Sequence, residues 1–310
     1  MIHQIGHKLR QQIHKFSGEL CTSTGKVSSR FIEEVIFGLS AGGSVRLTEI
    51  ARSLEETIPL HATHKRLSRN LADKALASHI EKKVLKLGSK RITEKTLLIV
   101  DPTDLQKKYA KKMEYLANVR DASEKTIGKG YWMCDVVGCE VGSNEIIPLA
   151  QELWSQNAPD FISENGQILS LVKRVRQATH YQGILVYDRG GDRREFLVPW
   201  TKDSSCHYIV RQRGDRHLLY KGKLQSGLNL AWSCNTPYSA TIIKEKKDEE
   251  KTYSIEFGFL PVRLPEWPER NLWLVVVKGL GKTPLMLLTT EPMRRNRKVL
   301  WWVVEAYITR

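Results

Sequence analysis

Two short apolar runs in this chain each stop at an aspartate. Leu97-Leu98-Ile99-Val100 runs into Asp101, and Ile184-Leu185-Val186-Tyr187 runs into Asp188. A buried strand that delivers a carboxylate at its C-terminal tip holds that carboxylate rigidly enough to ligate a divalent cation. Two such strands side by side can supply a carboxylate pair to a two-metal phosphoryl-transfer site. Taken singly, each aspartate is better explained as a turn residue, because Asp favours turns. Their matched placement favours the pair.

The order of the surrounding elements supports that reading. Strands are expected at 96–101, 131–137 and 145–149, then a helix at 167–178, a strand at 184–188, a helix around 195–200 and a strand at 207–210. A polar stretch rich in Gly and Lys, 123–130, reads as a mobile connection. Three hairpin-connected strands followed by helix, strand, helix, strand is the order of an RNase H-like α/β fold with a mixed sheet. Its first and fourth strands are parallel neighbours, which would bring Asp101 and Asp188 to one edge. Asp101 is then the candidate bridging ligand and Asp188 a ligand to one metal; oxygen donors favour Mg²⁺ or Mn²⁺. Asp104 is expected to cap a helix after the first strand, and Asp192 to cap a helix beginning at Arg193. Arg189, Arg193 and Arg194 read as solvated arginines.

The first ninety or so residues look helical. Phe31, Ile32, Val35, Ile36 and Leu39 recur at helical spacing before Gly42-Gly43, and Leu47, Ile50, Ala51 and Leu54 form a second stripe. A third helix, 61–71, would bury Leu67 and Leu71 and expose Lys65, Arg66 and Arg69. A fourth covers 76–87. Two short helices, the second of them basic, resemble a helix-turn-helix, with Lys65, Arg66 and Arg69 as candidate DNA contacts. Residues 211–290 instead hold strand-like pieces at 253–257, 272–277 and 285–289. The charged run Lys244–Lys251 reads as an exposed hairpin tip. From 298 to 310 the chain is helical again, with Trp301, Val304 and Ile308 inward.

Composition narrows the partner. The 310 residues are 41% hydrophobic, enough for a real core, and carry 49 Lys plus Arg against 34 Asp plus Glu, a formal +15. That excess suits a polyanion, since each neutralised phosphate releases counterions. The N-terminus lacks a signal-peptide pattern, and no apolar run approaches the roughly 18 residues of a spanning helix, so nucleic acid is favoured over a membrane surface. The five cysteines (Cys21, Cys134, Cys139, Cys206, Cys234) are scattered without Cys-x-x-Cys spacing and read as reduced cytosolic thiols.

The segment Leu98-Ile99-Val100-Asp101-Pro102-Thr103-Asp104-Leu105 resembles the first catalytic block of the DDE transposases of bacterial insertion sequences, in the group with a β-strand insertion ahead of the third acid. Gly128-Lys129-Gly130-Tyr131, Ile146-Ile147-Pro148-Leu149 with Leu153-Trp154-Ser155, and Tyr187-Asp188-Arg189-Gly190 follow in the family's order. The resemblance covers about residues 95–310. It implies a helical, DNA-binding N-terminal domain over 1–92, an RNase H-like catalytic core over 93–211, a β-rich insertion over 212–291 and the start of the catalytic helix over 292–310. It implies that Asp101 and Asp188 are the first two acids and metal ligands, with Mg²⁺ or Mn²⁺ as cofactor. The activity implied is cutting element ends and joining them to target DNA, as a homodimer at the bacterial nucleoid, with no membrane involvement.

The third acid of that family lies in a signature of Tyr, two residues, Arg, three residues, Glu, six residues, Lys. Tyr307 and Arg310 match its first two positions, which in the family bind phosphate. The Glu would fall four residues beyond Arg310, so a truncated transposase is expected. Glu291 and Glu305 are the nearest upstream acids, and Glu305 is expected to point elsewhere. Two alternatives stand beside this reading: a DNA-binding fragment that inhibits the full-length enzyme, and an RNase H-fold nuclease with another third acid.

Overall fold

The computed structural model describes residues 2–120, 126–246 and 249–310. The chain is mixed α/β and divides into two compact units, Met1–Leu87 and Gly88–Arg310. Among the described residues no helix is long and apolar enough to cross a membrane.

The first unit is built from α1 (Ile2–Leu20), α2 (Lys26–Gly42), α3 (Leu47–Ser53), α4 (Leu60–Leu71) and most of α5 (Lys74–Ser89). α2 ends where Gly43 takes a left-handed conformation at φ 59°, and its N–H returns to the Leu39 carbonyl at 3.0 Å. Phe31, Ile50, Ala51, Leu67 and Leu76 form the core of the unit. Leu71, expected inside, is 60% exposed, since α4 ends at that residue and nothing covers its last turn. Arg66 also departs from expectation. Rather than facing water, its guanidinium donates to both Glu34 oxygens at 2.7 and 2.9 Å and to Glu56 at 2.7 Å, tying α4 to α2 and to the loop after α3. Lys65 and Arg69 are exposed.

Among the described residues, the second unit is organised by a twelve-strand mixed sheet. Its strands are β1 (Leu97–Gln106), β2 (Ala117–Arg120), β3 (Ile127–Cys139), β4 (Ile146–Trp154), β5 (Ile184–Tyr187), β6 (His207–Arg211), β7 (His217–Tyr220), β8 (Lys223–Ser226), β9 (Tyr238–Lys246), β10 (Glu249–Leu264), β11 (Trp267–Lys278) and β12 (Leu285–Thr289). The helices are α6 (Glu164–Ala178), α7 (Arg194–Lys202), α8 (Gly227–Ser233) and α9 (Arg297–Thr309). β4, β3 and β1 pair antiparallel in that spatial order, and β1, β5 and β6 continue in parallel. Parallel strands buried on both faces need continuous apolar runs, and β5 has one: all four of its residues are buried.

β12 joins β6 antiparallel, and β11 and β10 continue the same sheet. The β-rich segment 212–291 thus extends the central sheet and shares its core. Leu97, Val186 and Ile209 belong to one cluster with Phe257, Val275, Leu287 and, from α9, Leu300, Val303 and Val304. The charged run lies on the β9–β10 hairpin, with residues 247 and 248 outside the described residues. The stretch expected as a mobile connection is divided. Residues 121–125 lie outside the described residues, while Ile127–Gly130 belong to β3 and pair with β2 and the end of β1.

Candidate active site

Asp101 sits within a strand, not at its tip. β1 continues to Gln106 because it stays paired with β3, Asp101 opposite Asp135 and Gln106 opposite Gly130. Asp104, expected as a helix cap, is therefore a strand residue opposite Trp132. β5 stops at Tyr187, opposite Val100, so beyond that point β1 is an edge on the β5 side, where Pro102 is tolerated. The parallel register puts Asp188 immediately past β5 beside Asp101. Its Oδ1 accepts the Gly190 N–H at 2.7 Å and caps a short 3₁₀ turn, Arg189–Gly191.

The two carboxylates converge on one cation of the chain. An Arg310 guanidinium nitrogen lies 2.9 Å from Asp101 Oδ1 and 3.8 Å from Asp188 Oδ2. The Arg310 side chain is 20% exposed, against 59% for Asp101 and 43% for Asp188, so the contact closes a half-open crevice at the C-terminal end of β5. Asp135 is an acid the sequence pattern did not single out. It faces Asp101 across an antiparallel pair, where like charges are unfavourable, and accepts the Gln151 amide at 2.9 Å. The signal was present as an isolated Asp inside the apolar run Trp132–Val137 of β3.

The floor is neutral. Burial, with Asp135 and Asp101 adding repulsion, pushes the Cys134 thiol up to about 12, and burial raises the Tyr187 phenol as well. Tyr187 packs against Phe196 and Trp200 with ring centroids at 5.8 and 6.4 Å. A Cβ added at Gly191 would meet the Tyr187 ring at 2.7 Å, so the turn carrying Asp188 closes on an aromatic core with no room to spare.

Asp192 does not cap α7. It is buried, pairs with the Arg216 guanidinium and accepts the Arg213 N–H at 2.8 Å, while Arg213 Nε reaches the Arg189 carbonyl at 3.1 Å. Those contacts tie the loop after β6 to the turn after β5; Arg193 is the residue preceding α7, without a side-chain cap. Arg193 pairs with Glu164 at 2.9 Å and Asn165 at 2.6 Å, and Arg194 lies 3.9 Å from Glu266. Arg189 is exposed beside Asp188.

The remaining candidates fall elsewhere. Tyr307 packs half-buried against the core under α9. The Glu305 carboxylate stands by the Gly142 turn between β3 and β4. Glu291 is buried at the opposite edge of the parallel strands, 2.7 Å from His207 and 3.8 Å from Lys95. All five cysteines are buried and free.

Asp101 and Asp188 are hard oxygen donors suited to Mg²⁺ or Mn²⁺. However, among the described residues no group of three or more His, Cys, Asp or Glu side chains is placed to hold a metal ion, and a guanidinium lies between the two acids. These residues alone do not make up a two-metal site. Neither a scan of protein-family models nor a search of curated proteins finds a match to the chain.

Proposed function

We propose that this chain is a DNA-acting protein of the DDE transposase type, with an RNase H-like core in which Asp101 and Asp188 are catalytic acids. The single observation that carries the reading is the convergence of those two carboxylates, from adjacent parallel strands, on Arg310. A strand order of β4-β3-β1-β5-β6, antiparallel then parallel, is the arrangement expected of such a core. The excess of 49 Lys plus Arg over 34 Asp plus Glu supports a polyanionic partner.

The Mg²⁺ of this family would supply charge for the attacking and leaving oxygens, but two aspartates with a guanidinium between them do not fit it. What the chain's own residues do is bind. Arg310 and Arg189, at the mouth of the crevice, present guanidinium groups suited to bidentate phosphate contact. Asp101 and Asp188 hold Arg310 in place and oppose a phosphate drawing near. The helical unit, with exposed Lys65 and Arg69, adds backbone contacts to DNA in this reading.

Fluorescence anisotropy with a labelled duplex, across a salt series, tests the assignment. The wild-type chain is expected to bind with a steep salt slope. The Asp101→Asn/Asp188→Asn double variant should bind more tightly, because two anions leave the phosphate path, and Arg310→Ala should bind more weakly. No binding by the wild type, or affinities unmoved by all three substitutions, would remove the crevice from the function.

A second reading, a DNA-binding inhibitor of a complete transposase, is favoured by the same Arg310 contact, since a guanidinium between the acids satisfies their charge without a cation. It predicts duplex binding without cleavage under any divalent cation, even by a chain carrying a glutamate four residues beyond Arg310.

A further inference from the structure

Beyond β1, residues 107–116 form a projecting loop with the sequence Lys107-Lys108-Tyr109-Ala110-Lys111-Lys112 at its head. The base of the loop is fixed. Lys107 N–H donates to the Lys129 carbonyl at 2.7 Å, the Tyr131 hydroxyl to the Glu114 carbonyl at 2.6 Å, and Asn157 to the Leu116 carbonyl at 3.0 Å. Ser155 also donates to the Tyr115 carbonyl. The head is the opposite. Lys108, Lys111 and Lys112 are exposed, no ion pair engages them among the described residues, and Tyr109 is 95% exposed. An aromatic ring left in water among unpaired lysines has no folding rationale.

A cleft of about 720 Å³ opens under this loop, within the roughly 300–1,000 Å³ span of small-molecule sites. Its aromatic lining comes from Tyr115, Tyr131, Trp154 and Phe161, with the carboxylates of Glu114 and Asp160 beside them. Trp154 is 6% exposed, and its indole N–H is without a partner among the described residues. Aromatic faces stack on any base, carboxylates accept from the exocyclic amino groups of bases, and lysines take backbone phosphates. Asp101 and Gln106 are five strand residues apart, about 17 Å. That separation corresponds to about five nucleotides of one strand.

We infer that this loop and cleft form a second DNA subsite, which takes an unpaired base from the strand whose phosphodiester lies at Asp101 and Asp188. The inference rests on the DNA-acting reading. Tyr115 and Phe161 supply the stacking faces, Glu114 and Asp160 receive base amino groups, and the lysines at the head hold the flanking phosphates. A fully paired duplex keeps its bases stacked and presents only phosphates to the lysines.

The test compares a blunt duplex with the same duplex carrying a single-stranded overhang that contains 2-aminopurine. Wild-type protein should prefer the overhang substrate and alter 2-aminopurine fluorescence. Tyr115→Ala should lose that signal and weaken overhang binding roughly five- to a hundredfold, with little change on the blunt duplex. Tyr115→Trp should keep both. The Lys108→Ala/Lys111→Ala/Lys112→Ala variant, which touches only exposed side chains, should flatten the salt slope by roughly two to three units on either DNA. Equal binding of both substrates by the wild type, or unchanged behaviour of Tyr115→Ala and the triple-lysine variant, overturns the subsite and leaves the crevice reading standing. Failure of the wild type to bind any DNA overturns both.

Discussion

Arg66 and Arg310 show how far a residue's meaning depends on its neighbours. From periodicity alone Arg66 is one of three cations on a basic helix, yet it is spent on Glu34 and Glu56 within the helical unit. Arg66→Ala should therefore lower the stability of that unit by about 1–3 kcal/mol, because two partly buried carboxylates lose one of their donors, Arg30 remaining on both and Thr63 on Glu56. Thermal melts should show the loss, whereas Lys65→Ala/Arg69→Ala should leave the melt unchanged. The acid response follows from the same cluster. The Thr63 hydroxyl bond, then Arg66 and Arg30, hold Glu56 below its ordinary value of 4.5 despite partial burial. A carboxyl lowered in the folded state stabilises fully above the unfolded value and stops doing so as pH falls through the folded one. The unit should accordingly lose stability below about pH 4.5, and Glu56→Gln should shrink that dependence. At the other end of the chain, Arg310→Ala removes the guanidinium that both Asp101 and Asp188 contact. It should raise the affinity for Mn²⁺ measured by calorimetry; unchanged affinity would show that the guanidinium does not compensate the pair.

At the scale of elements, what the sequence revealed and what it hid follow one rule. β5 was legible because a strand buried on both faces has no polar residue to interrupt it, and α2 because a glycine in the left-handed region marks its end. The extension of β1 past Asp101 was not legible. Asp101-Pro102-Thr103-Asp104 has turn composition, and only pairing with β3, remote in sequence, keeps it extended. β7, β8 and β9 were also missed, although β7 pairs with β8 and β9 with β10 across short turns, and Asp192 looked like a cap because its partner Arg216 lies across a loop. The turn after β5 is where element geometry and the site meet. Gly191→Ala would drive a methyl into the Tyr187 ring, and it should cost about 1–3 kcal/mol as overpacking of a filled core. It should also shift Asp188, so weakened duplex binding should accompany the lower melting temperature. A fully stable Gly191→Ala protein would mean that the turn has slack the packing does not suggest.

For the molecule as a whole, the segment 212–291 was legible as β-rich but not as part of the central sheet, because a single antiparallel pairing, β12 on β6, decides it. Phe257 makes the consequence concrete: it is fully buried, packs 5.6 Å from the Trp301 ring of α9, and shares a cluster with Leu97 and Val186. Phe257→Ala should cost about 3–5 kcal/mol and lower one cooperative transition of Gly88–Arg310, not a separate melting of the inserted strands. The carboxylate pair is held by this same sheet, and its most direct test is Mn²⁺-dependent nicking of supercoiled plasmid. The chain through Arg310 is expected to bind the plasmid without nicking it. A chain carrying a glutamate four residues beyond Arg310, one helical turn on and on the same face, is expected to nick it, and Asp101→Asn or Asp188→Asn in that extended chain to abolish the cut. Nicking by the chain through Arg310 that survives both aspartate substitutions would contradict the assignment of Asp101 and Asp188.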